Sequence, residues 1–226
     1  MQPYFMPYIG YWQLIKAADI FVYYDDVTFI KQGWINRNRI LSNGLEQMFT
    51  IYVNGASSFT TIKEVLVGGN RKRVLKTISQ AYAKAPFFQE RLPLLNKIFL
   101  SAEGNLCNYI EQSNAHILEI LRIQSTMIRS SQFDFDSTGK GQERVIRICK
   151  ELGATTYINS FGGRDLYSKN DFADAGISLQ FLQPTLMPYE QNGAHFVGGL
   201  SILDVLMFNN TTSVINMLEQ YQLLKK

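Results

Sequence analysis

The chain has little of what metal and disulfide chemistry require. Its 226 residues include two cysteines, Cys107 and Cys149, and two histidines, His116 and His195, all far apart. None stands at ligand spacing, which argues against a structural zinc site. Both cysteines fall inside helical apolar patterns, the setting of buried free thiols in a reducing compartment rather than of a bridge. No block of like charges occurs and the formal net charge is only +3, so charge leaves no nucleic-acid footprint. The longest apolar run, residues 200–208, is broken by Asp204 and falls far short of the roughly 20 residues a membrane span needs. No basic segment, apolar core and small-residue cleavage site open the chain, so a cytoplasmic location is expected.

What is present is the balance of a folded globular protein, 46% hydrophobic and 18% charged, long enough to bury a full core. A single domain over 1–226 is expected, with a helical insertion or layer at about 70–123. Ile9, Trp12, Ile15 and Ala18 recur near helical period, and Asp19 then opens an apolar run to Tyr24, which predicts helix then strand. β-formers crowd residues 34–41, 49–53 and 62–67, punctuated by Asn43-Gly44, Asn54-Gly55 and Gly68-Gly69, which predicts a β-rich excursion. Three helical stretches follow at 71–83, 88–100 and 105–123. From Thr126 the pattern alternates: strand to Ser130, helix 140–152, strand 155–158, short helix near 170–175, strand 177–182. Such alternation predicts an α/β fold with a mainly parallel, Rossmann-like sheet. Two helices, 202–208 and 214–224, are expected to close the chain.

Five runs and one loop could carry chemistry. In Gln2 to Tyr11, two prolines and Gly10 precede a helix whose free N–H groups suit phosphate or carboxylate, with Tyr8 and Tyr11 beside them; packing tyrosines are the plainer alternative. Tyr24-Asp25-Asp26 ends a predicted buried strand, where α/β folds place ligands; the carboxylates fit a base and a substrate or Mg²⁺ ligand, or equally a solvated turn. In Lys31 to Arg39, read as a strand, Trp34, Asn36 and Asn38 share one face while Ile35, Arg37 and Arg39 share the other. An aromatic platform with amide and guanidinium donors can stack a base or sugar and grip phosphate, and an exposed polar strand is the alternative. Asp136 to Arg144 joins a Gly-rich turn to Lys140 and Glu143 at a helix start but lacks Walker glycine spacing, so it reads as an anion site or a capped helix. Asn159 to Tyr167, with Gly162 and Gly163, follows a strand and offers a comparable loop. Tyr189, Glu190 and Gln191 precede His195, which fits a general base or a hydrogen-bonded loop histidine.

Taken together, these runs resemble the WbqC-like family of bacterial proteins. The resemblance rests on QPYFMPYIGYWQLI (2–15), FVYYDDVTFIKQGWINRNRIL (21–41), STGKGQERVIRICKELGATTYINSFGGRDLY (137–167) and FVGGLSILDVLMFNN (196–210). Phe161 and Gly199 depart from the family pattern, which has proline there, and relatives carry a short apolar strand before the Gln-Pro motif. Without that strand, the edge of its neighbour is expected to be exposed. Tyr8-Ile9-Gly10-Tyr11 also resembles the His-Ile-Gly-His turn of nucleotidylyl transferases, implying a HUP/nucleotidylyl-transferase-like sheet, although tyrosine supplies no imidazolium charge.

The resemblance implies an enzyme of surface-polysaccharide (O-antigen) precursor biosynthesis. Its reaction is expected to be transfer or ligation of an aminoacyl group such as glycine onto the amino group of a nucleotide-linked sugar. Asp25, Asp26 and Lys31 are the expected catalytic residues, with Asp25 or Asp26 as base or Mg²⁺ ligand. Substrate-binding residues are expected at Gln2, Tyr8, Gly10, Tyr11, Trp34, Asn36, Arg37, Arg39, Lys140, Glu143, Asn159, Gly162, Gly163, Tyr189 and Gln191. Gln2 and Tyr11 would orient the acyl donor, Trp34 would stack, and Lys31 and Arg37 would bind phosphate. ATP with Mg²⁺, a carrier or aminoacyl-tRNA would activate the acyl group. The alternatives are a nucleotide-sugar-binding accessory protein without turnover, or a nucleotidylyl transferase.

Overall fold

A computed structural model describes residues 1–133, 141–193 and 195–225. The chain opens with α1 (Ile9–Lys16), buried from Ile9 through Ile15 on every side, so the helix runs through the core instead of along its surface. β1 (Ile20–Tyr23) follows. The β-rich excursion is a hairpin of β2 (Arg37–Ser42) and β3 (Leu45–Thr50), then β4 (Val53–Asn54) paired with β5 (Leu66–Val67). Asn43 and Gly44 turn the hairpin with φ of +51° and +76°, the left-handed pair that matches strand twist in a two-residue loop.

The helical stretch at 70–123 resolves into α2 (Arg71–Tyr82), α3 (Phe88–Phe99) and α4 (Leu106–Leu121). α4 brings Tyr109 face to face with Phe5 at 5.1 Å, and Phe5 meets Phe49 and Phe99 edge-on. This aromatic knot fastens the N-terminal loop to the hairpin and to the helices. After it come β6 (Thr126–Arg129), α5 (Gln142–Glu151), β7 (Thr156–Ser160), a 3-10 turn over Phe161–Leu166, α6 (Lys169–Asp174), β8 (Ser178–Pro184), α7 (Ile202–Phe208), α8 (Thr211–Met217) and β9 (Tyr221–Lys225).

The architecture is mixed α/β. β1 pairs in parallel with β6, Ile20 opposite Thr126, and β7 pairs in parallel with β8, Thr156 opposite Ser178. No ladder joins the two groups among the described residues, where a single parallel sheet was expected. The final helix expected at 214–224 is also corrected: it stops at Met217, and Tyr221–Lys225 lies antiparallel on β8. Leu218, Leu223 and Leu224 mimic helical spacing locally, but the open edge of β8 offers ladder hydrogen bonds that an isolated helical turn cannot match. The strand read over 34–41 begins only at Arg37, because the chain turns at Gln32 (φ +63°) just before it. The expected division of faces holds for Asn36 and Asn38 against Arg37 and Arg39 and fails for Trp34 and Ile35, which precede the strand. Asn36 and Asn38 are buried, and Trp34 shares its surroundings with the two arginines.

Gln13, fully buried on α1, ties the two ends of the chain together by donating to the carbonyls of Met217 (2.8 Å) and Gln220 (2.9 Å). Gln13→Ala removes both side-chain bonds and leaves each carbonyl one backbone donor, the Gln220 amide on Met217 and the Thr185 amide on Gln220. Urea unfolding is expected to register a loss of about 1–2 kcal/mol, with the melting temperature lower by roughly 3–6 °C. A loss no larger than that of an exposed Gln→Ala control would remove this anchor from the fold's framework.

Candidate functional site

The parallel β1–β6 pair ends in two short polar runs side by side, Tyr24-Asp25-Asp26 and Ser130-Ser131. Asp25 is fully buried. Its carboxylate accepts the Ser131 amide at 3.0 Å and the Ser131 hydroxyl at 2.7 Å, and its own amide donates to Ser130 Oγ. Ser130 Oγ lies 2.6 Å from Asp26 Oδ1 and 3.2 Å from Asp25 Oδ1. Its single proton therefore serves the nearer carboxylate, Asp26. The other oxygen of Asp26 pairs with Arg144 of α5, whose guanidinium also lies over the Tyr24 ring at 5.2 Å. Burial by itself would raise the Asp26 pKa, but Arg144 and Ser130 outweigh it and hold the carboxyl below its ordinary value. Asp26 is thus an ionised carboxylate at neutral pH, partly open, whereas Asp25 is enclosed behind it.

α4 braces this edge from behind. Arg129, the last residue of β6, donates to both oxygens of Glu111 (2.5 and 2.6 Å) and to Asn108 (2.6 Å), a bidentate grip of high geometric specificity. Next to it, burial pushes the Cys107 thiol up to about 12, which leaves it inert as a nucleophile.

In front of the pair opens a cavity of about 830 Å³ that runs between β1 and β7. Gln2, Asn159, Gly162 and Gly163 all line it, as do Tyr4, Tyr24 and Tyr167. The Tyr11 hydroxyl, itself buried, donates to the Gln2 carbonyl at 2.9 Å and so fixes the loop that carries Gln2. A Cβ at Gly10 would overlap the far end of the Tyr8 ring, so that ring would have to move aside. Gly163 packs against the Asn159 amide, whose oxygen accepts the Ser160 N–H at 2.7 Å. Glu143 opens α5 and faces a shallower recess shared with Asp165 to Ser168. Lys140 and the Asp136–Gly139 turn lie outside the described residues.

The remaining expected residues form a second group elsewhere. The guanidinium carbons of Arg37 and Arg39 lie 6.0 and 5.6 Å from the centre of the exposed Trp34 ring. Arg39 also pairs with Glu46 at 2.5 Å and reaches the Gly199 carbonyl. Lys31 is exposed at the tip of the preceding turn. Asn36 does not present its amide to this shelf: it donates to the Ile51 carbonyl at 2.7 Å, and Asn38 donates to that of Met6 at 2.8 Å, so both hold backbone in place. Tyr189 and Gln191 turn inward to Asp204, a fully buried carboxylate at the start of α7. They donate to its Oδ1 at 2.7 Å each, while Tyr82 donates to Oδ2 at 2.8 Å. Burial raises the Asp204 pKa, opposed by these three hydrogen bonds. Tyr189 and Gln191 are absent from the lining of the β1–β7 cavity.

Ser130, Ser131, Arg129, Arg144 and Asp204 were not singled out from the sequence. Asp204 had left a trace, as the one charge interrupting the apolar run 200–208, and Ser130-Ser131 follow directly on a predicted strand. Nothing local marked Arg144, whose role depends on α5 meeting the end of β1.

Among the described residues no cluster of three or more His, Cys, Asp or Glu converges on a point. The acid pair itself is a poor fit for Mg²⁺, since Arg144 already neutralises Asp26 and Asp25 is enclosed by its serine partners. No step below is routed through a metal.

The fold and site define a mixed α/β protein with an acid–arginine cluster at the carboxyl ends of parallel strands, the ligand position of open α/β sheets. The model of the WbqC-like protein family matches residues 2–215, and the chain belongs to that family. An uncharacterized protein of Mycobacterium tuberculosis, Rv1507c, is 28% identical over 215 residues, covering 92% of this chain and 91% of its own length. No solved structure matches.

Because Asp26 is held below its ordinary pKa, it contributes stability that is present above the unfolded-state value and lost as pH falls through the folded-state value. Arg144→Ala removes the main opposing cation. The rise in unfolding free energy between about pH 3 and pH 6 is expected to shrink by roughly half a kcal/mol, after allowance for solvent screening of a partly open pair. Parallel pH profiles for the two proteins would refute the assignment.

Proposed function

We propose that the protein is an enzyme of bacterial surface-polysaccharide (O-antigen) precursor biosynthesis, acting in the cytoplasm as one WbqC-like domain with a Rossmann-like sheet. Its reaction is transfer of an aminoacyl group such as glycine to the amino group of a nucleotide-linked sugar. The observation that carries this reading is Asp26, a partly open, ionised carboxylate set between Arg144 and Ser130 two residues beyond Tyr24, which lines the β1–β7 cavity. A carboxylate held ionised there can receive a cationic amino group and orient it. The bound ammonium first yields one proton to water, which frees its lone pair; as the neutral amine nitrogen then bonds to the acyl carbon, the donor's leaving group departs with its electron pair, and the second proton passes to Asp26 and on to water.

Asp25 is a positioning residue in this scheme, since it acts only through Ser130 and Ser131. Gln2 and the Gly162-Gly163 turn line the same cavity, where backbone N–H groups suit phosphate or acyl oxygens. The shelf of Trp34, Arg37 and Arg39, with Lys31 at its edge, supports binding of a base and its phosphates. A second reading, a nucleotide-sugar-binding protein without turnover, draws on the direct Asp26–Arg144 pairing, which weakens Asp26 as a base.

Thermal-shift screening against dTDP-, UDP- and GDP-linked amino sugars, each with and without ATP, is expected to raise the melting temperature with at least one of them. With that sugar, Asp26→Asn is expected to abolish amide formation while leaving affinity within a few-fold. Equal loss of affinity and turnover would favour the binding reading. Flat curves with every sugar would remove both.

A further inference from the structure

Two neighbouring loop tips present apolar side chains outward. Residues 27–30 and 59–62 run antiparallel: the Phe29 amide donates to the Thr60 carbonyl at 2.9 Å, the Ile62 amide donates to the Val27 carbonyl at 3.0 Å, and Thr28 bridges to Thr61. In that register Ile30 stands opposite Phe59. Phe29 points into the core, so the next pair along this ribbon, Ile30 and Phe59, shares the outward face. Phe59 is 91% exposed and Ile30 52%.

The chain around these tips holds cations and no acid. Residues 27–45 include Lys31, Arg37 and Arg39, residues 47–63 include Lys63, and neither stretch contains Asp or Glu. Glu46, between them, pairs with Arg39. Lys31, exposed beside Ile30, has no carboxylate partner among the described residues. This charge complements an anionic surface.

The tips also satisfy their own polar groups. Residues 54–62 carry no charged side chain. Within them the Ser57 and Thr60 hydroxyls lie 2.6 Å apart, the Phe59 amide donates to Ser57 Oγ at 3.2 Å, and the Thr60 hydroxyl donates to the Gly55 carbonyl at 2.9 Å. At the companion turn the Gly33 amide donates to the Ile30 carbonyl at 3.1 Å, and Arg37 covers the carbonyls of Gln32 and Gly33. Water would serve such groups in an open loop, whereas a loop entering an apolar medium must satisfy them internally. A side chain nine-tenths open on a loop tip offers a protein partner no pocket, and a bilayer needs no matching shape.

We propose that the tips at Ile30 and Phe59 form a peripheral attachment point for an anionic bilayer. The two apolar side chains enter the boundary between headgroups and acyl chains, and Lys31 lies among the lipid phosphates. The inference does not rest on the reaction proposed above.

The full chain is mixed with vesicles of phosphatidylcholine alone, or with about one-third phosphatidylglycerol to supply a negative surface potential. It is expected to co-sediment with the anionic vesicles and to be released as salt is raised. Ile30→Ser with Phe59→Ser is expected to weaken partitioning roughly tenfold or more through lost apolar transfer. Its melting temperature should match that of the parent, since both side chains are open in the free protein. Leu100→Ser with Leu166→Ser removes two exposed leucines elsewhere and is expected to leave partitioning unchanged. Phe59→Trp places a reporter at the tip, and brominated acyl chains are expected to quench it beyond the parent's own tryptophan signal. Failure to sediment with anionic vesicles would overturn the proposal and leave the tips to a protein partner. Equal weakening by the two double variants would also overturn it, as would a Phe59→Trp signal that brominated chains do not quench.

Discussion

The parallel register of β1 against β6 is the constraint on which the site depends. With Tyr23 opposite Arg129, the residues that follow each strand fall alongside one another, and Asp25 meets Ser131 while Asp26 meets Ser130. A slip of one residue would send these side chains to opposite faces of the sheet, separating each acid from its hydroxyl. The partners are more than 100 residues apart in sequence, with α2, α3 and α4 between them. Forming the site therefore requires closing a loop of more than 100 residues. Arg129 reinforces the register by clamping Glu111 and Asn108 on α4.

Three carboxylates show how differently burial can be handled. Asp25 and Asp204 are both fully buried. Asp25 is met by a backbone amide and hydroxyls, and it ties two strand ends together. Asp204 is met by two phenols and an amide, and it pins the 185–200 loop to α2 and α7. Neither faces an arginine in direct pairing, so each relies on hydrogen bonds to offset the loss of water. Asp26 differs from both in having an arginine partner and a partly open face, and its partners hold it below its ordinary pKa.

What could be read from the sequence follows the range of the interactions. The helices at 71–82, 88–99 and 106–121 were legible because their apolar stripes are local. So was the placing of Asp25 and Asp26 at a strand end, since a short apolar run stops there. Ser130, Ser131 and Arg144 were not legible as partners, because only the strand register and the docking of α5 bring them in. The reading of 34–41 failed for a local reason of another kind: Trp34 and Ile35 favour strands, yet the left-handed Gln32 commits the chain to a turn and displaces the strand start to Arg37. Asn36 and Asn38 look like ligand donors in a list of residues, whereas their amides satisfy backbone carbonyls in the core. At the C-terminus, leucines spaced for a helix were claimed by the free edge of β8.

Gln2, on the wall of the β1–β7 cavity, is held by neighbours on both sides. It follows Met1, which is hydrogen-bonded to β1, and its carbonyl receives the Tyr11 hydroxyl from the buried helix α1. The position of Gln2 is thus set from two sides, by β1 and by the helix behind.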